Sequence, residues 1–328
     1  MKILVTGANG FLGHWLIKRL LSEGNEISVL LRNPNDFNFF KQKGIQVFHG
    51  DVTNEDSLVD AIKGQTQIYH LAGLVAYDRK QFQIMNLINA TGTENIFKIA
   101  ALNNVQRVLT VSSVVSIGAT FKPEILDEEF TYNLSRFKFG YHESKRNAET
   151  IVCKYVKENK VDGVIVNPST IYGPGDASKA SRSTQLKVAQ GKIFFYPSGG
   201  VSVAYVEDVV DGMIKAMQKG RSAERYILAG ENIYLKDLFN LIAVEAGVTK
   251  SWWPIPTGVM RSIAYLDNTL SRIGLNGPMP SERALVAIMF HWYSSEKAKQ
   301  ELGYTIRPAQ QSIASSVRWM IEQGLLRK

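Results

Sequence analysis

The stretch "ILVTGANGFLG", residues 3–13, decides the fold. A short apolar run breaks off at Gly7, and glycines recur at Gly10 and Gly13 as a helical pattern, Phe11–Leu21, begins. Each glycine has a physical task in such a turn. The first permits a tight reversal, the second lets a phosphate approach the backbone, and the third allows a helix to pack closely on the strand. The helix start then offers N–H groups and the positive end of its dipole to a pyrophosphate. The alternative is a glycine-rich turn that holds nothing. A strand directly before it and a helix directly after it favour the nucleotide.

Outward from this turn, compact apolar runs alternate with helical spacing. Lys2–Val5, Ile27–Leu31, Gln46–Phe48, Ile68–Leu71, Val108–Val111 and Val164–Val166 read as strands covered on both faces. Phe11–Leu21 and Gly92–Leu102 read as helices packed on that sheet. Repeated βα units with right-handed crossovers predict an α/β, doubly wound parallel sheet of the Rossmann type. After Pro168 the rhythm loosens, and prolines and glycines punctuate a smaller, irregular α/β part. "VAYVEDVVDGMIKAMQKG" followed by "RYILAG" predicts a helix and strand that rejoin the parallel sheet. The expected division is therefore interleaved: 1–168 with 202–230 for the nucleotide, and 169–201 with 231–328 for the substrate.

Composition excludes several other classes. The chain has 328 residues, 45% apolar and 21% charged, as in a packed globule of two domains or one elaborated domain. One cysteine, Cys153, rules out an internal disulfide and suits a reducing compartment. No secretory signal opens the sequence and no apolar run approaches the roughly 20 residues of a membrane span, so a cytoplasmic protein without an integral membrane segment is expected. The net charge of +8 is spread without basic blocks, which argues against nucleic acid and is compatible with a phosphorylated small molecule. Arg261, Arg272 and Arg283 interrupt the apolar region 252–293, which argues against membrane-surface association.

A second stretch bears on chemistry: "YHESK", residues 141–145. At about 100° per residue, Tyr141, Lys145, Ala148, Val152 and Tyr155 share one helical stripe. Lys145 stands there as a lone charge on a packable face, where an ammonium needs a partner or a cleft. Beside Tyr141 it would favour the phenolate and lower the phenol pKa. Ser113, just beyond the strand Val108–Val111, lies where ligands of such sheets bind; Ser112 is its nearest rival.

Together these motifs resemble the extended short-chain dehydrogenase/reductase family. The match comprises G-x-x-G-x-x-G at Gly7, Gly10 and Gly13, a mid-chain serine in "LTVSSVVSIG", and Tyr141-x-x-x-Lys145. "GDVTN", "HLAG", "NATGT", "NPSTIYGPGD" and "YVEDVVDG" extend it over nearly the whole chain. The subgroup it looks most like contains dihydroflavonol 4-reductase-like and hopanoid-associated sugar-epimerase-like proteins. Matching Gly118 to the glycine that closes the family's serine motif selects Ser113. The resemblance implies catalysis by Ser113, Tyr141 and Lys145, with Asn89 either near the chemistry or tying helix to strand. It implies cofactor contacts at Gly7, Asn9, Gly10, Phe11, Leu12, Gly13, Asp51, Val52, Leu71, Ala72, Gly73, Ser112, Tyr141, Lys145, Pro168, Ser169 and Thr170. It also implies a homodimer through paired helices, and no metal.

The cofactor can be narrowed further. Where an acid after the second strand would favour NAD, this chain has Leu31 and then Arg32, whose paired donors suit the 2′-phosphate of NADP. Two departures separate it from sugar-nucleotide relatives. Val114 and Val115 follow Ser113 where dehydratases carry an acidic pair, and Val201 stands where many epimerases place a diphosphate-binding arginine. The aromatic stretch Trp252–Pro256 and "RALVAIMFHWY", residues 283–293, are expected to be largely core. The expectation is an NADP-dependent reductase or dehydrogenase acting on a fairly hydrophobic ketone or secondary alcohol. An epimerase with resident NAD and a non-catalytic NADP-binding regulator are the alternatives.

Overall fold

Strands buried on both faces need helices above and below them, and the chain supplies both. The computed structural model describes residues 1–176, 183–248, 252–275 and 277–326. Its first five strands are β1 (Lys2–Thr6), β2 (Glu26–Leu31), β3 (Gln46–His49), β4 (Gln67–His70) and β5 (Arg107–Val111). Two more, β7 (Asp162–Pro168) and β11 (Arg225–Leu228), complete a seven-stranded sheet of order β3-β2-β1-β4-β5-β7-β11. Every pairing in it is parallel. The order reverses between β1 and β4, which opens a crevice beyond their carboxyl ends. The helices Phe11–Ser22 and Val206–Lys219 bury their apolar sides on one face, around Leu16, Leu20, Val209 and Met213. Gly92–Leu102 and Gly140–Lys157 cover the other, around Ile96, Phe97 and Val152.

The remaining strands are short. β6 (Ile125–Leu126), β8 (Thr170–Tyr172), β10 (Gly200–Tyr205), β12 (Glu231–Tyr234) and β14 (Phe290–Tyr293) form a second, five-stranded sheet. β9 (Phe195–Tyr196) and β13 (Trp253–Pro254) pair alone. The strand of "RYILAG" is β11, and it rejoins the parallel sheet beside β7. Residues 202–205, by contrast, lie in β10 of the second sheet, and only the helix that follows packs on the first.

The expectation of a largely core later region holds only in part. Within "RALVAIMFHWY", helix Ser281–Val286 ends and β14 begins at Phe290, where aromatic and bulky residues suit a pleated sheet. Ala284, Ile288, Met289, Phe290 and Tyr293 are core, but Trp253 is 65% exposed on the β9–β13 ribbon, which is two-stranded among the described residues.

The glycine turn is held by backbone proximity. Gly7 has φ +68°, and a Cβ on it would lie 2.7 Å from the Leu71 carbonyl carbon and the Ala72 nitrogen. A Cβ on Gly13 would lie 2.4 Å from the Gly7 carbonyl oxygen. Gly13→Ala is therefore expected to lower unfolding stability by about 1–3 kcal/mol through overpacking. An unchanged urea midpoint would refute the close-packing role.

Candidate active site

The expected ligand contacts share one address, the carboxyl ends of the parallel strands. Gly7–Gly13 follow β1, Arg32 follows β2, Asp51 and Val52 follow β3, and Leu71–Gly73 follow β4. Ser112 and Ser113 follow β5, while Pro168–Thr170 span the end of β7 and the start of β8. The helix Phe11–Ser22 has no side-chain cap on Gly10 and no acid in its own first turn. That arrangement fits a pyrophosphate. Asn9 donates to Asp36 at 2.9 Å and holds the segment after β2 across the turn. Arg32 is exposed, its guanidinium 3.6 Å from Asp51. Asp51 also accepts from the amide and hydroxyl of Thr53 at 2.9 and 2.8 Å. Val52 is buried against Gly92, whose missing Cβ leaves it room.

The helix Gly140–Lys157 delivers Tyr141 and Lys145 to the same edge. Lys145 is buried, and its ammonium donates to the Val111 carbonyl at 2.9 Å. It lies so near Gly73 that a Cβ there would be 3.3 Å from Nζ. Burial lowers the Lys145 pKa to about 8, with the Glu149 carboxylate opposing the shift. Ser113 caps a one-turn helix, Val114–Ser116, so its side chain is fixed at the end of β5. Its hydroxyl stands near enough to the Tyr141 phenol to favour ionisation, but burial of the phenol outweighs this and raises its pKa. The expectation that Lys145 lowers the Tyr141 pKa is corrected here. The ammonium is engaged with the β5 carbonyl and is not among the groups acting on the phenol.

Asn89 sits in a five-residue π-helical segment, Leu87–Thr91. Such wide turns free backbone and side-chain groups for other work. Its amide joins three elements: Oδ1 accepts from the Leu74 amide at 2.7 Å, and Nδ2 donates to the Leu74 carbonyl and the Ser144 hydroxyl, both at 2.9 Å. Asn89 thus ties the loop after β4 to the Tyr141 helix, the less chemical of its two expected roles. Beneath it, His70 is buried between the Thr6 and Thr93 hydroxyls at 2.8 and 3.1 Å. Burial, with Lys145 nearby, drops its pKa to about 3, so it is neutral.

The helical wheel missed one residue. Lys145 is not the lone charge on its stripe: Glu149, one turn later, is also buried, 7% exposed. Its position 40° round the helix from Lys145 was a legible signal. Sequence reasoning also missed Glu282, whose carboxylate lies 3.4 Å from His142 Nδ1 with both side chains buried. Burial raises Glu282 to about 8 and lowers His142 to about 4. Near pH 7 both are neutral, and this contact is not an ion pair.

The model of the NAD dependent epimerase/dehydratase family matches residues 3–229. The chain belongs to that family. A Synechocystis protein bearing the name of a dihydroflavonol 4-reductase is 27% identical over 98% of this chain and 95% of its own. Sterol demethylase protein B of Methylococcus capsulatus is 28% identical over 99% of this chain and 100% of its own. The crystal structure of gox2253 superposes with a TM-score of 0.89 at 30% identity, covering 99% of each chain. The family's reductases, epimerases and dehydratases use NAD(P), and the chain is an enzyme of this oxidoreductase type. No helix among the described residues is long and apolar enough to cross a membrane.

Glu282 makes stability depend on pH. Its folded pKa of about 8 exceeds the ordinary carboxyl value of 4.5, so the native state holds a proton that the unfolded chain releases. That contribution is full below the unfolded value and is lost as pH rises toward 8. The Tm difference between wild type and Glu282→Gln should therefore shift against wild type between pH 5 and 8. A pH-independent difference would refute it.

Proposed function

We propose that the protein is an NADP-dependent reductase or dehydrogenase that interconverts a ketone and a secondary alcohol on a fairly hydrophobic small molecule. The observation that carries this reading is the gathering of Ser113, Tyr141 and Lys145 at one strand edge, with Ser113 close enough to act on the phenol and the ammonium on the Val111 carbonyl beside Gly73. The first turn of Phe11–Ser22 would hold the pyrophosphate, the loops after β3 and β4 the adenosine and the middle of the dinucleotide, and Lys145 the nicotinamide ribose. When bound, the cofactor supplies the hydride from C4 of its nicotinamide. Ser113 holds the carbonyl oxygen of the substrate, and Tyr141 gives that oxygen its proton as the carbon accepts the hydride pair. The raised phenol pKa suits a donor that must keep its proton until the alkoxide develops. In the oxidative direction the same groups take the proton back.

Three features favour a reductase over the family's sugar-nucleotide chemistries. Val114, which follows Ser113, is buried in an apolar cluster where a dehydratase would need an acid. Val201 is buried in β10 and leaves the diphosphate without a guanidinium at that position. Ketoreductase is also part of the printed name of a Stigmatella aurantiaca relative, 26% identical over 97% of this chain, whose named substrate carries a farnesyl group. Arg32, 68% exposed at the side chain and only loosely paired, supports NADP.

In a screen of apolar ketones with NADPH, Tyr141→Phe should lower turnover by roughly 10²–10⁴-fold with little change in NADPH affinity. Retention of full turnover on every accepted ketone would overturn the role of Tyr141. Arg32→Ala should weaken NADPH by roughly 10–100-fold and leave NADH unchanged, as read by titration of nicotinamide fluorescence. An equal loss for both dinucleotides would instead assign Arg32 a structural part.

A further inference from the structure

Glu149 is the buried carboxylate that the proposed reaction leaves without a part. It lies one turn beyond Lys145 on the helix Gly140–Lys157. Its Oε1 accepts hydrogen bonds from the Ser112 hydroxyl, from the Ser116 hydroxyl at 2.5 Å and from the Asn167 amide at 2.6 Å. Its Oε2 faces the Arg225 guanidinium at 3.6 Å. These partners arrive from separate places: the end of β5, the one-turn helix after it, the carboxyl end of β7, and the start of β11. Two of them flank Ser113 on either side. The third, Asn167, has the same amide nitrogen within 3.0 Å of the Ser113 carbonyl and 2.9 Å of the Ser116 hydroxyl.

We propose that Glu149 is a positioning residue for the reduction, tying the turn that carries Ser113 to the helix that carries Tyr141 and Lys145. The inference rests on the reductase reading above and adds a residue to it. Ser113 can serve Tyr141 only if its hydroxyl stays in reach of the phenol, yet the two side chains come from different elements. A single carboxylate oxygen with three donors fixes that distance, because charge-assisted hydrogen bonds are about twice as strong as neutral ones. The backbone of β5 completes the link from the other side, since Lys145 donates to Val111 two residues before Ser113.

The same carboxylate has an electrostatic effect on Lys145. A buried ammonium tends to lose its proton, and Glu149 is the group that opposes this loss. The other titratable groups around Lys145 are Tyr141 on its own helix and neutral His70 from β4. Around Glu149 they are Arg225 from β11 and Cys153, one turn further along the helix. Removing the Glu149 charge therefore lets Lys145 deprotonate at a lower pH, and removing the opposing Arg225 charge has the reverse effect.

Two readouts test this. The first is NADPH affinity against pH, followed by nicotinamide fluorescence, which needs no substrate. The second is kcat and KM with NADPH and an apolar dicarbonyl, 9,10-phenanthrenequinone. Glu149→Gln retains an acceptor oxygen but no charge. It should move the alkaline loss of NADPH affinity down by about one pH unit and cut kcat roughly tenfold, with the dicarbonyl KM unchanged. Arg225→Met should move the same limb upward. Ser116→Ala removes one donor and keeps the charge, so it should lower kcat without moving the limb.

Wild-type pH limbs in both Glu149→Gln and Arg225→Met, with kcat intact in Ser116→Ala, would overturn the proposal. If Glu149→Gln does not fold, Arg225→Met and Ser116→Ala still decide it. Tyr141→Phe run beside them separates the two levels of argument. Absence of dicarbonyl turnover in the wild type defeats the reductase reading itself and full turnover by Tyr141→Phe defeats the role of Tyr141, whereas an active wild type and an inactive Tyr141→Phe together with unmoved Glu149 and Arg225 limbs defeat only the role of Glu149.

Discussion

The approach of one backbone turn to another sets the geometry of this molecule. Gly7 lies against the Leu71–Ala72 peptide, and Gly13 lies against Gly7, with no room for a side chain at either point. This contact brings the end of β1 beside the end of β4, on the two sides of the place where the sheet order reverses. It also aims an uncapped helix start into the crevice so formed. A methyl group at Gly7 would meet both a left-handed backbone and the neighbouring strand end. The nucleotide cradle and the sheet register are therefore a single constraint: the fold cannot close without making the crevice.

Across the crevice a second constraint operates, the burial of charge. Lys145 has left water, and the chain answers with the Val111 carbonyl and the Glu149 carboxylate. His70 stays neutral beneath it, so no second cation competes. The polar groups around the site form two linked sets. Asn89 joins Leu74 to Ser144 and through it to the Tyr141 carbonyl, while Glu149 joins both sides of the Ser113 turn to the same helix. Buried polar groups are costly unless satisfied, and satisfying them fixes a unique arrangement. The helix Gly140–Lys157 is held by side-chain bonds at one end of the site and by apolar packing of Val152 and Tyr155 at the other.

The parallel sheet was legible because strands covered on both faces read as short apolar runs, and each predicted run overlies a strand, with only Leu71 falling past the end of one. The glycine turn was legible because only glycine fits its contacts. What escaped the sequence has equally physical causes. The two-residue strands β6, β9 and β13 are too short to carry a period. Glu149 and Glu282 escaped because acids are usually solvated, and burial depends on partners brought from distant elements. The sign of the Tyr141 pKa shift escaped for a related reason. Helical spacing placed an ammonium one turn away, but it could not say that the ammonium would be spent on a strand carbonyl.

The second sheet is joined directly to the edge of this frame. β10 pairs with β8, which directly follows β7, so the second sheet starts at the carboxyl edge of the first. The segment Thr257–Val286 meets the first half of the chain through specific side chains. Arg79 donates to Ser271 at 2.9 Å and to Ser281 at 3.1 Å, and Glu282 packs on His142, the neighbour of Tyr141. Glu282 is neutral near pH 7, and Arg79 stands close enough to act on its charge. The contact between Glu282 and His142 thus ties the later segment to the residue beside Tyr141 without a charge on either partner, so the two parts of the chain meet next to the phenol through groups that burial keeps neutral.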